Sequence, residues 1–422
     1  MTESSHLSVT AAQAIVLRHA DRRNVETVPL ERTLGRVLVE DVLANRDQPP
    51  YDVSAMDGFA VRSADLANGE ATLTVIEDIK AGDRPTLSVG AGQCARIMTG
   101  APVPRGADAV VRVEDTQTLA GGLIAFAVGK PLRPGNDVRA LGESLRNGQV
   151  VLKAGSEVTP GTVGVLATVK AAQVAVFTRP HVAILATGDE LEALDAPLDP
   201  YKIPNSNSYA LMAQCQVLGI EPTLLGIARD DPEELARYLA QGIDHERFDV
   251  LLVSGGSSVG VHDHVRPTLE ALGVTMHFWR VEMRPGHPIA FGTTADGGLV
   301  FGLPGNPVSS MVCFEQFVLP ALRQLMGHTR LFRRTVTARL AHPVKIRPGR
   351  TEFVRVALTR DAYGNYVAQL TGTQSSGVVL SMAVADGLLV VPAETSGFDE
   401  GESAVVQLLD GTTYQDGIGF RD

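Results

Sequence analysis

Residues able to do chemistry gather in four short segments of this 422-residue chain. Ser254-Gly255-Gly256-Ser257-Ser258-Val259-Gly260 follows an apolar run at residues 249–253. Its adjacent glycines let main-chain N–H groups approach a phosphate or a ring edge. Asp263 follows within a turn, placed to hold a metal ion or a ligand donor. Gly302-Leu303-Pro304-Gly305-Asn306-Pro307-Val308-Ser309 joins a strand to a helix, whose first turn would offer N–H groups and a positive dipole end to an anion. Thr187-Gly188-Asp189-Glu190-Leu191 sets two neighbouring acids at the end of a buried strand. That placement is costly unless the acids are solvated or meet a cation such as Mg²⁺. In Phe278-Trp279-Arg280-Val281-Glu282-Met283-Arg284-Pro285-Gly286-His287-Pro288, Arg280, Arg284 and His287 are donors for a phosphate or another oxyanion. Each segment also has a plain structural account: a tight turn, a capped helix start, an exposed turn, a solvated strand edge.

The elements around these segments are legible. Residues 181–187 and 249–254 are near-continuous apolar runs, as strands covered on both faces must be. Between residues 180 and 327 such strands alternate with helices. Asp231-Pro232-Glu233-Glu234 supplies a cap, a first-turn proline and two first-turn acids, and Asn306-Pro307 opens a second helix that closes near Gly327, with a kink expected at Pro320. Residues 8–22 read as an amphipathic helix. From 25 to 128 the texture is that of short strands, including 71–76, 94–98 and 109–113. A short strand, a helix begun by Pro160 and another strand follow over 148–175. After 331, strands at 335–340, 352–358, 366–370, 387–391 and 404–409 predict a small β domain.

The net charge of -11 and an aromatic fraction of 5% argue against nucleic-acid binding, which needs a basic face and stacking rings. The 44% hydrophobic and 20% charged fractions are those of a soluble globular protein of several domains. Residues 1–9 lack an apolar signal core, and no stretch has the apolar length of a membrane helix. Cys94, Cys215 and Cys313 form no CxxC pair, so reduced thiols in a cytoplasmic protein are expected.

Together these segments resemble one family, the molybdopterin molybdotransferases (the MoeA and gephyrin E-domain proteins). Residues 180–327 resemble its molybdopterin-binding domain. The N-terminal half adds Ser54-Ala55-Met56-Asp57-Gly58-Phe59-Ala60-Val61 and Arg96-Ile97-Met98-Thr99-Gly100-Ala101-Pro102, and the C-terminal part adds Pro348-Gly349-Arg350, Arg355 and Thr371-Gly372-Thr373-Gln374-Ser375-Ser376.

The resemblance implies a multidomain α/β plus β chain. Its parts are a three-layer α/β/α domain over 180–329, a mostly-β domain of 27–44 with 54–140, and a discontinuous domain of 7–26, 45–53 and 141–179. A small β-barrel-like domain over 330–412 completes it. It implies insertion of molybdate into adenylylated molybdopterin with Mg²⁺-dependent release of AMP, in a homodimer that could contact an adenylyltransferase or molybdoenzymes. Asp57, Thr99, Glu190 and Asp263 match family catalytic positions, and Asp263, Glu190 and Asp230 (or Asp231) the metal-binding acids. Gly255, Gly256, Ser258, Gly260, Arg280, Arg284, Pro304, Gly305, Asn306, Arg350 and Ser376 match the substrate pocket, with Arg355 the alternative arginine. Two departures stand out. Gly142-Glu143-Ser144 replaces the family's Gly-Glu-Asp, and Arg280, Arg284 and His287 stand where lysines are usual. Rival readings are the adenylyltransferase step, a non-catalytic scaffold, or a paralogue preferring another oxyanion such as tungstate.

Overall fold

The computed structural model describes residues 7–21, 24–256 and 264–409. By density of contacts the chain forms two units, one of residues 1–27, 35–37 and 175–422, the other of 28–34 and 38–174.

The first unit contains a six-stranded sheet. Its strands are β1 (Val182–Thr187), β2 (Thr223–Ala228), β3 (Val250–Ser254), β4 (Thr275–Phe278), β5 (Ala290–Thr293) and β6 (Leu299–Leu303), in the order β2-β1-β3-β6-β5-β4. The first four strands in that order run parallel, and β5 is inserted antiparallel between β6 and β4. Alternation along β1 explains the three layers. Val182 and Ile184 join a core with Leu211, Cys215, Val312 and Phe317 on one face, whereas Ala183 and Leu185 join Leu235, Leu239, Val265 and Leu269 on the other. The helix Val9–His19 closes over the first of these cores through Val9, Ala12 and Val16.

The helix opened by Asn306 departs from expectation. It runs as Pro307–Cys313, then a π-helical turn Phe314–Val318, then Leu319–Leu325, with Pro320 just after the π turn. Across the wide turn the ladder shifts, and the Leu319 N–H donates to the Phe314 carbonyl. Pro320 therefore enters at the start of a fresh α segment, where its missing N–H costs nothing. The Gln316 carbonyl, whose α-helical donor would be Pro320, accepts from Gln13 Nε2 at 3.0 Å.

The same unit ends in a closed barrel. Strands β7 (Thr335–Leu340), β8 (Thr351–Arg360), β9 (Tyr366–Leu370), β10 (Gly387–Val391) and β11 (Ser403–Leu408) pair in the ring β7-β9-β8-β10-β11 and back to β7. Closure removes both sheet edges. Its interior holds Leu340, Val354, Val356, Leu389 and Val406.

The second unit is built on a six-stranded sheet of Ala109–Arg112, Gly58–Val61, Gln93–Ile97, Glu70–Ile79, Leu123–Ala127 and Thr116–Thr118, in that order. Phe59, Val61, Cys94 and Val111 pack on one face, and Ala60, Ala95, Ile97 and Val110 on the other. Gly58 is required where two strands come close, since a Cβ there would lie 2.0 Å from the Val111 carbonyl oxygen. Helix Pro160–Thr168, capped by Thr159, belongs to this unit.

Candidate functional site

In an open α/β sheet, ligands bind beyond the carboxyl ends of the strands, where the winding reverses. Here that point lies between β1 and β3, and a cleft of about 790 Å³ opens there. Thr187, Gly188 and Glu190 come from the end of β1, Asp230 from beyond β2, Gly255 and Gly256 from beyond β3, and Pro304, Gly305, Asn306 and Pro307 from beyond β6. Gly377 and Val379 contribute from the loop after β9. All four segments singled out in the sequence thus reach one space, the fourth through Pro288 alone.

Glycine is mandatory in this floor. Gly255 has φ 101°, and a Cβ on it would lie 2.3 Å from the Thr187 carbonyl oxygen. Gly256, with φ 62°, would drive a Cβ to 2.3 Å from Val265 Cγ2. The acids are arranged by main-chain contacts. The Glu190 carboxylate folds over Gly188, whose missing side chain leaves the space, and the Asp230 N–H donates to Asp189 Oδ1 at 3.3 Å. Lys202 Nζ donates to the Asp189 carbonyl. Asp231, the alternative acid, is spent as a helix cap, accepting from the Glu234 N–H at 2.8 Å. Among the described residues no group of three or more His, Cys, Asp or Glu could hold a metal. Glu190 and Asp230 remain two exposed carboxylates on one cleft, the donor set that Mg²⁺ shares with phosphate oxygens and water. Asp263, Ser258 and Gly260 lie outside the described residues.

The helix start at Asn306-Pro307 is less open than the sequence implies. Pro307 has no N–H, and the Val308 N–H donates to the Ser376 carbonyl at 3.1 Å. This contact locks the Thr371–Ser376 segment against the cleft wall through its backbone.

Among the described residues, the cleft lining does not include Arg280, Arg284 or Arg350. Arg284 Nη1 donates to Glu352 Oε1 at 3.0 Å. Arg350 Nε donates to Glu282 Oε2 at 2.9 Å, and its Nη2 sits 3.3 Å from His287 Nε2. His287 Nδ1 lies 2.7 Å from the Val281 carbonyl oxygen. A carbonyl only accepts, so Nδ1 carries the proton and Nε2 accepts from Arg350. Arg280 is exposed. Arg355 is 1% exposed, and desolvation lowers its pKa.

In the second unit Asp57 and Thr99 form a pair. The Thr99 N–H and its hydroxyl donate to Asp57 Oδ1 at 2.7 and 2.8 Å. These two bonds, the backbone one foremost, hold Asp57 below the usual carboxylate range. Cys94 and Cys215 are buried, and desolvation pushes both thiols up to about 12. Cys313 is buried as well, and its thiol is pushed up further still. None is available as a thiolate near neutral pH.

Sequence reading missed Asn207. It stands in the first turn of the helix Ser206–Val217, whose cap is Asn205. Its Nδ2 donates to Ser254 Oγ and to the Gly305 carbonyl, both at 2.7 Å, tying two of the cleft's loops together. The available signal was the polar run Asn205-Ser206-Asn207-Ser208 before an apolar stretch, which reads as a helix cap and gives no hint of a clamp.

Comparison with known proteins covers nearly the whole chain. Residues 7–169 match the MoeA N-terminal region (domain I and II), 183–324 a probable molybdopterin binding domain, and 337–409 the MoeA C-terminal region (domain IV). A molybdopterin molybdenumtransferase of Staphylococcus aureus (strain Mu50 / ATCC 700699) is 35% identical over 390 residues, 91% of each chain. One from Nostoc sp. is 35% identical over 395 residues, 92% of this chain and 89% of its own. The crystal structure of a molybdopterin biosynthesis MoeA protein from Pyrococcus horikoshii superposes with TM-score 0.79 at 32% identity, covering 96% of this chain and all of that one. With three regions matched in order and full-length relatives at this identity, the chain belongs to the MoeA family.

Proposed function

We propose that this chain is a molybdopterin molybdotransferase, a transferase of molybdenum-cofactor biosynthesis that inserts molybdate into adenylylated molybdopterin and releases AMP. The observation that carries this reading is the 35% identity to molybdopterin molybdenumtransferases across 91% of both chains. The cleft suits such a substrate. Gly255 and Gly256 admit its close approach to the main chain, and Glu190 and Asp230 would hold the Mg²⁺ that a pyrophosphate linkage needs. Bound there, the ion neutralises charge on the phosphoryl oxygens. Asp57, kept ionised by Thr99, is an acceptor for a proton or a substrate donor. The dithiolene sulfurs belong to the substrate, so the chain's buried thiols need no part.

A homodimer, a cytoplasmic location and the roles of Asp263, Arg280, Arg284, Arg350 and Ser376 in holding pterin or oxyanion belong to the same reading. Among the described residues no helix is long and apolar enough to cross a membrane.

A reconstituted assay tests it. Purified chain, adenylylated molybdopterin, Mg²⁺ and molybdate should yield AMP and active cofactor, and Glu190→Ala should suppress both while leaving the fold intact. ATP consumption with pyrophosphate release would identify an adenylyltransferase instead. Full cofactor formation by Glu190→Ala and Asp263→Ala would point to a scaffold.

A further inference from the structure

Two buried polar atoms on residues that line the cleft have no hydrogen-bond partner among the described residues: Asn207 Oδ1 and Thr187 Oγ1. The orientation of the Asn207 amide is settled by its neighbours. The atom facing the Gly305 carbonyl must be the nitrogen, because a carbonyl cannot donate. Both hydrogens of that nitrogen are then engaged, by Gly305 and by Ser254 Oγ. The remaining oxygen can only accept. Thr187 is 3% exposed, at the carboxyl end of β1. The space beside its hydroxyl exists because two glycines flank it. A Cβ on Gly255 would lie 2.9 Å from Thr187 Oγ1, and one on Gly256 3.1 Å from it.

Buried polar atoms in folded proteins are nearly always paired, and leaving one unpaired is costly. A pair of them on the wall of a ligand cleft marks the place where a ligand supplies the missing bonds. The chemistry of that ligand group follows from Asn207 Oδ1. An acceptor rejects phosphate oxygens and molybdate, and selects N–H or O–H donors.

We propose that Asn207 and Thr187 form the heterocycle subsite of the cleft, reading the amino and ring N–H donors on the pyrimidinone edge of the pterin. This rests on the function proposed above and deepens it, because it gives the substrate a direction. The pterin edge lies at Asn207 and Thr187, and the phosphate end at Glu190 and Asp230. Asn207 is also a positioning residue, since its amide holds the Gly305 loop to the end of β3.

Fluorescence titration of the full chain with pterin (2-amino-4-oxopteridine) and lumazine (2,4-dioxopteridine) tests the proposal. Lumazine carries an oxygen in place of the exocyclic amine and so removes a donor. Wild type should prefer pterin by about tenfold. Thr187→Val, which replaces the hydroxyl by a methyl of equal size, should weaken pterin about tenfold and shrink the preference. It should also raise the melting temperature of the unliganded chain by about 1–2 °C, because an unpaired hydroxyl is gone. Asn207→Leu, which removes the accepting oxygen, should abolish the preference. If Asn207→Leu does not fold, Thr187→Val alone decides.

The proposal is overturned if wild type binds both pteridines equally, binds neither, or if Thr187→Val lowers stability without touching the preference, as ordered water on a structural pair would give. AMP release from adenylylated molybdopterin by wild type is read separately. A chain that releases no AMP but loses pterin preference in Thr187→Val keeps the subsite and loses the function. The opposite pattern keeps the function and loses the subsite.

Discussion

Arg355 donates from Nη2 to the main-chain oxygen of Ser375 at 3.2 Å, and the same guanidinium donates from Nε to Ser381 Oγ at 3.2 Å. Ser381 in turn donates to the Val378 carbonyl at 2.7 Å. A buried cation thus braces both ends of the turn that brings Gly377 and Val379 to the cleft and offers the Ser376 carbonyl to Val308. Desolvation lowers the Arg355 pKa. Its role is to shape the wall.

Arg355→Lys should therefore destabilise the chain by about 2 kcal/mol, because a point-like ammonium cannot serve both acceptors and leaves one unpaired. Arg350→Lys should cost less than about 1 kcal/mol, since the Arg350–Glu282 pair is partly exposed. Urea midpoints compare the two. A larger loss at Arg350 than at Arg355 would refute the assignment of the structural role to Arg355.

Thr99→Val keeps the backbone donor to Asp57 Oδ1 and removes the hydroxyl one. The Asp57 pKa should then rise toward about 4, the ordinary value. Under the proposed function, the acid limb of the AMP-release profile should move to higher pH, and Thr99→Ser should restore it. The sign follows from the depressed value. Stability from the pair is complete above the ordinary carboxylate pKa and is lost as pH falls through the folded one. An unchanged acid limb in Thr99→Val would remove Asp57 ionisation from the mechanism.

Gly255→Ala should cost more than about 2 kcal/mol. The position combines φ 101° with a backbone oxygen, Thr187 O, 2.3 Å from the added carbon, and neither partner is a flexible side-chain end. By contrast Gly273→Ala, at φ 87° with nothing within 4 Å, meets only the backbone strain. It should cost about 1 kcal/mol. Thermal melts of the two variants separate crowding from strain.

Most of the scaffold was readable because its strands are buried on both faces. Val182–Thr187 and Val250–Ser254 are buried at every position, so they appear in the sequence as near-continuous apolar runs. Asp231-Pro232 is legible because capping is local chemistry, and Asp231 does accept from Glu234. Glu190 and the paired glycines could be placed together because turns beyond parallel strands share one end of a sheet, whereas Asp230 came from the family resemblance. What was not legible was long-range. Nothing local separates Arg350, paired with Glu282, from Arg355, sealed under a turn 20 residues further on. Asn207 looks like any first-turn asparagine until the Gly305 loop is folded against it. The π turn before Pro320 was not legible because a local rule names the missing N–H and tertiary packing decides how the ladder avoids it.

His277 supplies a pH test of how the N-terminal helix is held. Its ring stacks on His19, from the last turn of the helix Val9–His19, with centroids 4.0 Å apart and planes 24° from parallel. Its Nε2 lies 2.9 Å from Thr293 Oγ1, and Phe291 closes another side. Burial foremost, then the charges of His19 and Arg18, lower the His277 pKa. A histidine whose folded pKa is depressed takes up its proton more readily in the unfolded chain. Stability is then full above the ordinary value of about 6.5 and is lost as pH falls toward and through the folded pKa. The helix should loosen as pH falls below about 6.5, visible as faster amide exchange at Val16 and Leu17 than in the core strands. His277→Gln should flatten that dependence while leaving the neutral-pH melting temperature nearly unchanged. Titration of the His277 ring protons by NMR with a midpoint at or above 6.5 would show that the stack does not resist protonation, and the pH sensitivity would have to reside elsewhere.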